Sequence, residues 1–117
     1  MWFSVNKVKI TLNKYFFNPS KKVNGMNRIK IDYTLQIWKE GRQYIAHAMP
    51  LDVMSSGTTP EVARKALEEA VHLFLVTAAE MGTLKEILDE SGYEFRQGCW
   101  ISPSWVAIER HSLPVAI

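Results

Sequence analysis

The sequence predicts an α+β fold: a three- to four-stranded, mainly antiparallel sheet with one long helix packed on one face, plus a short second helix. Three observations carry this expectation. Residues 28–38 alternate polar and apolar with period two, Gly41 and Gly57 punctuate the following stretch, and residues 60–81 place apolar side chains at spacings of three and four.

Each element has its own signal. From Arg28 onward, Ile29, Ile31, Tyr33, Leu35 and Ile37 fall on one side of an extended chain and Lys30, Asp32, Thr34, Gln36 and Trp38 on the other, as in a half-buried strand. Lys39-Glu40-Gly41-Arg42 supplies a turn with glycine available for positive φ, and Gln43 to Ala48 returns as the second strand of a hairpin. A third short strand is expected at about Asp52 to Ser56, ended by Gly57. Thr58-Thr59-Pro60-Glu61 then reads as a helix start: a threonine cap, a proline whose missing N–H costs nothing in the first turn, and a glutamate near the positive end of the dipole. Ala63, Leu67, Ala70, Phe74, Ala78 and Met81 form its apolar stripe, while Leu73 and Val76 fall on the flank that carries Val62 and Glu69. Gly82 ends this helix. Thr83 with Glu86 is expected to start the second as a capping box, which runs through Leu84, Ile87 and Leu88 to a stop at Gly92. A last strand is expected at Trp105 to Ile108.

Composition narrows the class. At 117 residues and 47% hydrophobic, the chain fits one compact domain with a core of its own. Its apolar runs fall short of the roughly 18–20 residues a bilayer span requires, and the N-terminus lacks a signal peptide's apolar block, so a cytoplasmic protein without membrane contact is expected. The single cysteine, Cys99, cannot form an internal disulfide, and no His/Cys spacing resembles a zinc site. Neither metal nor cofactor is expected.

The formal net charge of +2 conceals an asymmetry. Residues 1–30 hold seven lysines and arginines and no acid, whereas the other 87 residues hold 7 basic and 12 acidic side chains. Residues 1–25 are read as a basic N-terminal extension, interrupted by Asn18-Pro19-Ser20 and Asn24-Gly25, and residues 26–117 as the single domain. Lys22-Val23-Asn24-Gly25-Met26 can be encoded by a purine-rich run resembling a bacterial ribosome-binding site ahead of a start codon, which makes Met26 an expected alternative first residue.

A two-layer arrangement leaves one sheet face uncovered, and Trp38 lies on it. Tryptophan offers a large contact area at small entropic cost and concentrates at binding hot spots, so either a terminal segment folds over this ring or a partner does. Self-association into a homo-oligomer through this face or the flank of the long helix is expected.

Gly41, Tyr44, Ala46, Pro50, Gly57-x-Thr59-Pro60-Glu61-x-Ala63 and Leu67-Glu68-Glu69-Ala70-Val71-x-Leu73-Phe74-Leu75 resemble the N-terminal domain of HicB-type antitoxins, which neutralise HicA-type toxins. The resemblance covers about Asn27 to Tyr93 and implies a partly degraded ribonuclease-H-like fold. It departs from the family at Leu51, where an acidic residue often follows the proline, and Asp52 comes one place later. Many members continue into a DNA-binding domain; the 25 residues after Gly92, with Pro103 and Pro114 among them, are too short for a helix-turn-helix and lack the pattern of a ribbon-helix-helix, so direct DNA binding is not expected of this chain alone.

What the resemblance implies is occlusion: the toxin is a small ribonuclease, and the antitoxin covers its active surface. An acidic body complements the positive surface that an RNA-cutting protein needs. The contact residues expected from exposure are Asp32, Gln36 and Trp38 on the open sheet face and Glu68, Glu69 and His72 on the outer helix face.

Two other classes compete. A residual ribonuclease-H-like nuclease needs converging carboxylates around two divalent ions. Asp32 with Glu68 or Glu69 supplies at most two of them, and Asp32 projects away from the face on which the helix packs. His47, His72 and His111 are scattered, and Cys99 beside Trp100 reads as a packed thiol, so no catalytic residue is assigned. The other class is a nucleic-acid binder that uses the lysines of the extension with Trp2, Phe3, Tyr15, Phe16 and Phe17 as stacking groups.

Overall fold

A computed structural model describes residues 29–117. The basic extension, its aromatic residues and Met26 lie outside the described residues. The elements run in the order β1 (Lys30–Ile31), β2 (Thr34–Glu40), β3 (Gln43–Met49), β4 (Val53–Gly57), α1 (Pro60–Met81), α2 (Leu84–Glu90), β5 (Glu94–Arg96) and β6 (Cys99–Ile101). The fold is α+β, with the long helix on one face of an antiparallel sheet, as the periodicities require.

The sheet β2-β3-β4 is an antiparallel meander. Register pairs Leu35 with Ala48, Ile37 with Ala46 and Ala48 with Val53, which puts a row of small side chains on the face toward α1. Ala46, Ala48, Ala63 and Leu67 are fully buried, and small side chains on both layers let helix and sheet approach closely. Gly57 is the tightest point: a Cβ built there would lie 2.6 Å from Val62 Cγ1 and 2.7 Å from the Ala63 backbone nitrogen. Only glycine leaves room for the first turn of the helix to sit on the end of β4.

α1 begins and ends as its sequence demands. The Thr59 hydroxyl accepts the Val62 N–H at 3.1 Å, Pro60 opens the first turn, and Gly82 at φ 74° donates its backbone N–H to the Ala78 and Ala79 carbonyls. The buried face is wider than the expected stripe, since Val71 and Leu73 join Leu67, Ala70, Phe74 and Ala78. Met81 is not part of it and is 69% exposed. The capping box at Thr83 does not form. Its hydroxyl turns back to donate to the Ala78 carbonyl at 3.4 Å, and its backbone sits at φ −107°, ψ 0°.

The largest departure from expectation lies at the two ends of the domain. The alternating stretch 28–38 is broken at Asp32–Tyr33 into β1 and β2, and β1 pairs in parallel with β6 in a second sheet, β1-β6-β5. The expected strand at Trp105 to Ile108 is absent, and the hairpin of β5 and β6 lies upstream of it instead, with Phe95 against Trp100 at 5.1 Å between ring centroids. The break has a visible cause. The Asp32 backbone N–H donates to the Trp100 carbonyl (3.3 Å), its carbonyl accepts the Tyr93 hydroxyl (2.6 Å), and its carboxylate Oδ1 accepts the Ser102 N–H (2.7 Å). These bonds compete with a continuous ladder to β3 and turn the chain at that point.

Tyr93 is 5% exposed, and burial raises its phenol well above the ordinary tyrosine pKa of 10.0, with the Asp32 and Tyr33 charges adding to the effect. The unfolded chain therefore releases this proton at a lower pH than the folded one. Folding stability should be intact below pH 10.0 and fall as pH rises through and beyond it. Tyr93→Phe should flatten that alkaline loss and, by leaving the Asp32 carbonyl short of a partner, lower stability near neutrality by about 1–2 kcal/mol in denaturant titrations. Phe74→Ala should cost about 3–5 kcal/mol. Gly57→Ala should also destabilise, by roughly 1–3 kcal/mol or more, because the atoms it meets include backbone; an unchanged midpoint would contradict the close approach.

Candidate interaction surface

Two surfaces stand out, on opposite sides of the sheet. The face of β2-β3-β4 away from α1 carries Gln36 and Trp38 beside Ile45 and His47, their cross-strand partners in register. Trp38 is 39% exposed and meets the His47 ring edge-on, with centroids 6.2 Å apart and planes at 71°. His47 is held from its other side by Asp52, Nε2 to Oδ1 at 2.7 Å, across the Pro50–Asp52 turn. Thus the Trp38 ring leans on an imidazole fixed by a carboxylate, a preorganised edge. The C-terminal segment reaches this face at Thr34, whose hydroxyl accepts the Trp105 indole N–H at 2.7 Å.

The second surface lies along α1. Glu68 and His72, one turn apart, line an open groove of about 600 Å³ between the helix and β1. Its walls are mostly apolar, with Ile31, Leu75 and Val76 prominent, and Tyr33 faces Glu68 across it. Burial, and secondarily the Glu68 charge, raise the Tyr33 phenol above its ordinary pKa of 10.0. Glu69 is exposed on the same helix outside the groove.

The six residues expected to contact a partner therefore do not form one surface. Gln36 and Trp38 share the outer sheet face, Glu68 and His72 share the groove, and Glu69 stands beside it. Asp32 is exposed, yet its carboxylate is already committed to the Ser102 N–H, so its role in the structure is to position the chain. The residues that sequence reasoning missed are Tyr93, Ser102 and the His47–Asp52 pair. The first two join positions 61 and 70 residues away from Asp32, and no local pattern marks such a contact. The last had a signal, because a turn residue five places after a strand histidine lies within reach of its ring.

Among the described residues there is no group of three or more His, Cys, Asp and Glu side chains that could hold a metal ion, and no helix is long and apolar enough to cross a membrane. Comparison of the chain with protein-family models, with curated proteins and with solved structures finds no match.

Because Trp38 is 39% exposed and its ring meets that of His47, Trp38→Ala should lower folding stability by less than about 1.5 kcal/mol. A cooperative loss of the fold in thermal melts would show that the ring belongs to the core. Glu68→Gln should bring the Tyr33 phenol part of the way back toward 10.0 in an ultraviolet tyrosinate titration, leaving the larger burial effect in place.

Proposed function

We propose that this chain is a non-catalytic, antitoxin-like binding module that covers the active surface of a small RNA-cleaving toxin of the HicA type. The observation that carries this reading is the charge of the helical layer. α1 and α2 hold seven acidic side chains against three basic ones, and Glu61, Glu68, Glu69, Glu80, Glu86, Asp89 and Glu90 are all exposed. A protein that binds RNA through phosphate contacts carries a positive surface, and an acidic face of this kind attracts it before contact and fixes its orientation. The resemblance of residues 27–93 to the antitoxin domain points the same way, and the hairpin and the Thr59-capped acidic helix that it implies are elements of the fold. On contact, charge would steer the encounter while an aromatic anchor such as Trp38 and the apolar surface beside it supply the lasting attraction.

The test is titration of the purified chain against a HicA-type toxin encoded beside it, with RNA cleavage as the readout. Cleavage should stop at a fixed stoichiometry. Glu69→Lys should slow association and weaken its dependence on salt with little change in the dissociation rate, as expected for steering by a surface charge. Trp38→Ala should weaken the complex by at least about 1 kcal/mol. Undiminished toxin activity at saturating chain, or magnesium-dependent RNA hydrolysis by the chain itself that Asp32→Asn abolishes, would overturn the reading.

A further inference from the structure

The groove between α1 and β1 joins an apolar floor to an acidic helical wall. Ile31, Leu75 and Val76 supply the floor, and Glu68 and Glu80, both exposed, stand at two points along the helix. They lie twelve residues apart, roughly 18 Å along the axis. Among the described residues no lysine or arginine lines the groove, and its two carboxylates meet one histidine, His72, so the lining is net negative whichever charge that ring carries. The nearest cations are directed elsewhere. Lys30 sits between two lining isoleucines and alternates to the other side of β1, Arg64 and Lys65 lie nearer the start of α1, and Lys85 is bonded to Asp89 at 2.6 Å.

This combination selects a ligand class. A purely aliphatic ligand would cover the floor and strip water from the glutamates without replacing it, and an anion is repelled by them. A lysine or arginine side chain suits both parts, because its stem buries along apolar surface while its cation stays at the rim beside a carboxylate. At about 600 Å³ the groove has room for more than one such side chain.

We infer that the groove receives lysine and arginine side chains from the RNA-binding surface of the toxin, with their stems on Ile31, Leu75 and Val76 and their cations at Glu68 and Glu80. This assignment, which rests on the toxin-covering reading, separates two uses of the acidic helix. Glu69 stands outside the groove and acts on the encounter; Glu68 and Glu80 act in contact, on the lifetime of the complex.

Two experiments on the full chain test it. In the first, without toxin, n-hexylguanidinium is titrated in and followed by methyl NMR. It should shift Ile31, Leu75 and Val76 with a dissociation constant in roughly the millimolar range, as suits so small a ligand, while hexanoate should not. Glu68→Gln combined with Glu80→Gln should weaken the probe by about 10-fold. Ala79→Lys, at an exposed lining position, should exclude it by placing a cation of the chain's own in the groove. In the second, with toxin, the double glutamine variant should raise the dissociation rate by about 10-fold and change the association rate far less, the reverse of Glu69→Lys. A probe that leaves the groove methyls unmoved, or hexanoate that moves them equally, overturns the site whatever the toxin does. Contacts to these methyls from residues 1–28 or from a second copy in the free chain overturn it too, since the groove is then already filled. A wild-type toxin complex that tolerates both the double variant and Ala79→Lys overturns the occupant and leaves the toxin-covering reading intact. A toxin that the wild type leaves active, with the probe bound as expected, overturns that reading and the named occupant with it.

Discussion

Three hydrogen bonds converge on Asp32, and the placement of both sheets and of the C-terminal segment depends on them. The residue sits where an alternating stretch would otherwise continue as one strand. Instead its backbone N–H is drawn to Trp100, its carbonyl to the Tyr93 hydroxyl, and its carboxylate to the Ser102 amide. Through these contacts β1 leaves the meander and accepts β6 as a parallel neighbour, so the chain after the two helices returns to the strand where the domain began. The Ser102 bond then fixes the direction in which the remaining residues leave the body. A buried tyrosine hydroxyl that satisfies a backbone carbonyl is costly to remove, which makes this junction rigid as well as connected.

Close packing sets the rest of the architecture. Alanines on β3 and α1, with Leu51, Val53, Leu67 and Leu88 fully buried, fill the space between the helical layer and the sheet. The absence of a side chain at Gly57 brings the helix N-terminus onto the end of β4. Because α1 lies on one face only, the opposite face retains an exposed tryptophan and a histidine–aspartate pair, and the helix keeps an acidic exterior. These surfaces offer two physical means of recognition, charge along the helix and a preorganised aromatic edge on the sheet.

Much of this was legible in the residues. The alternation before Gly41, the Thr59-Pro60-Glu61 start and the Gly82 stop are local signals with local causes, and the hairpin and α1 follow them closely. The capping box at Thr83 misled because an alternative acceptor, the Ala78 carbonyl, lies within reach once Gly82 has turned the chain. The break at Asp32 and the β5–β6 hairpin were not legible. The break arises from contacts with residues 61 and 70 places away, which strand periodicity cannot register, whereas the hairpin is local but short, with its turn at Gln97-Gly98 and no long alternation to announce it. At the candidate site, sequence pattern separated the sheet candidates from the helix candidates, but could not show that Gln36 is half-buried, that Glu68 and His72 line a groove against β1, or that Asp32 is already bonded.

The Ser102 amide reports on the junction most directly. If the Asp32 carboxylate holds it, hydrogen exchange followed by NMR should find this amide protected in the native protein, and Asp32→Ala should release it together with the amides of β6 while β3 and α1 stay protected. An unprotected Ser102 amide in the wild type, or a β6 whose protection survives Asp32→Ala, would contradict the central role given to Asp32.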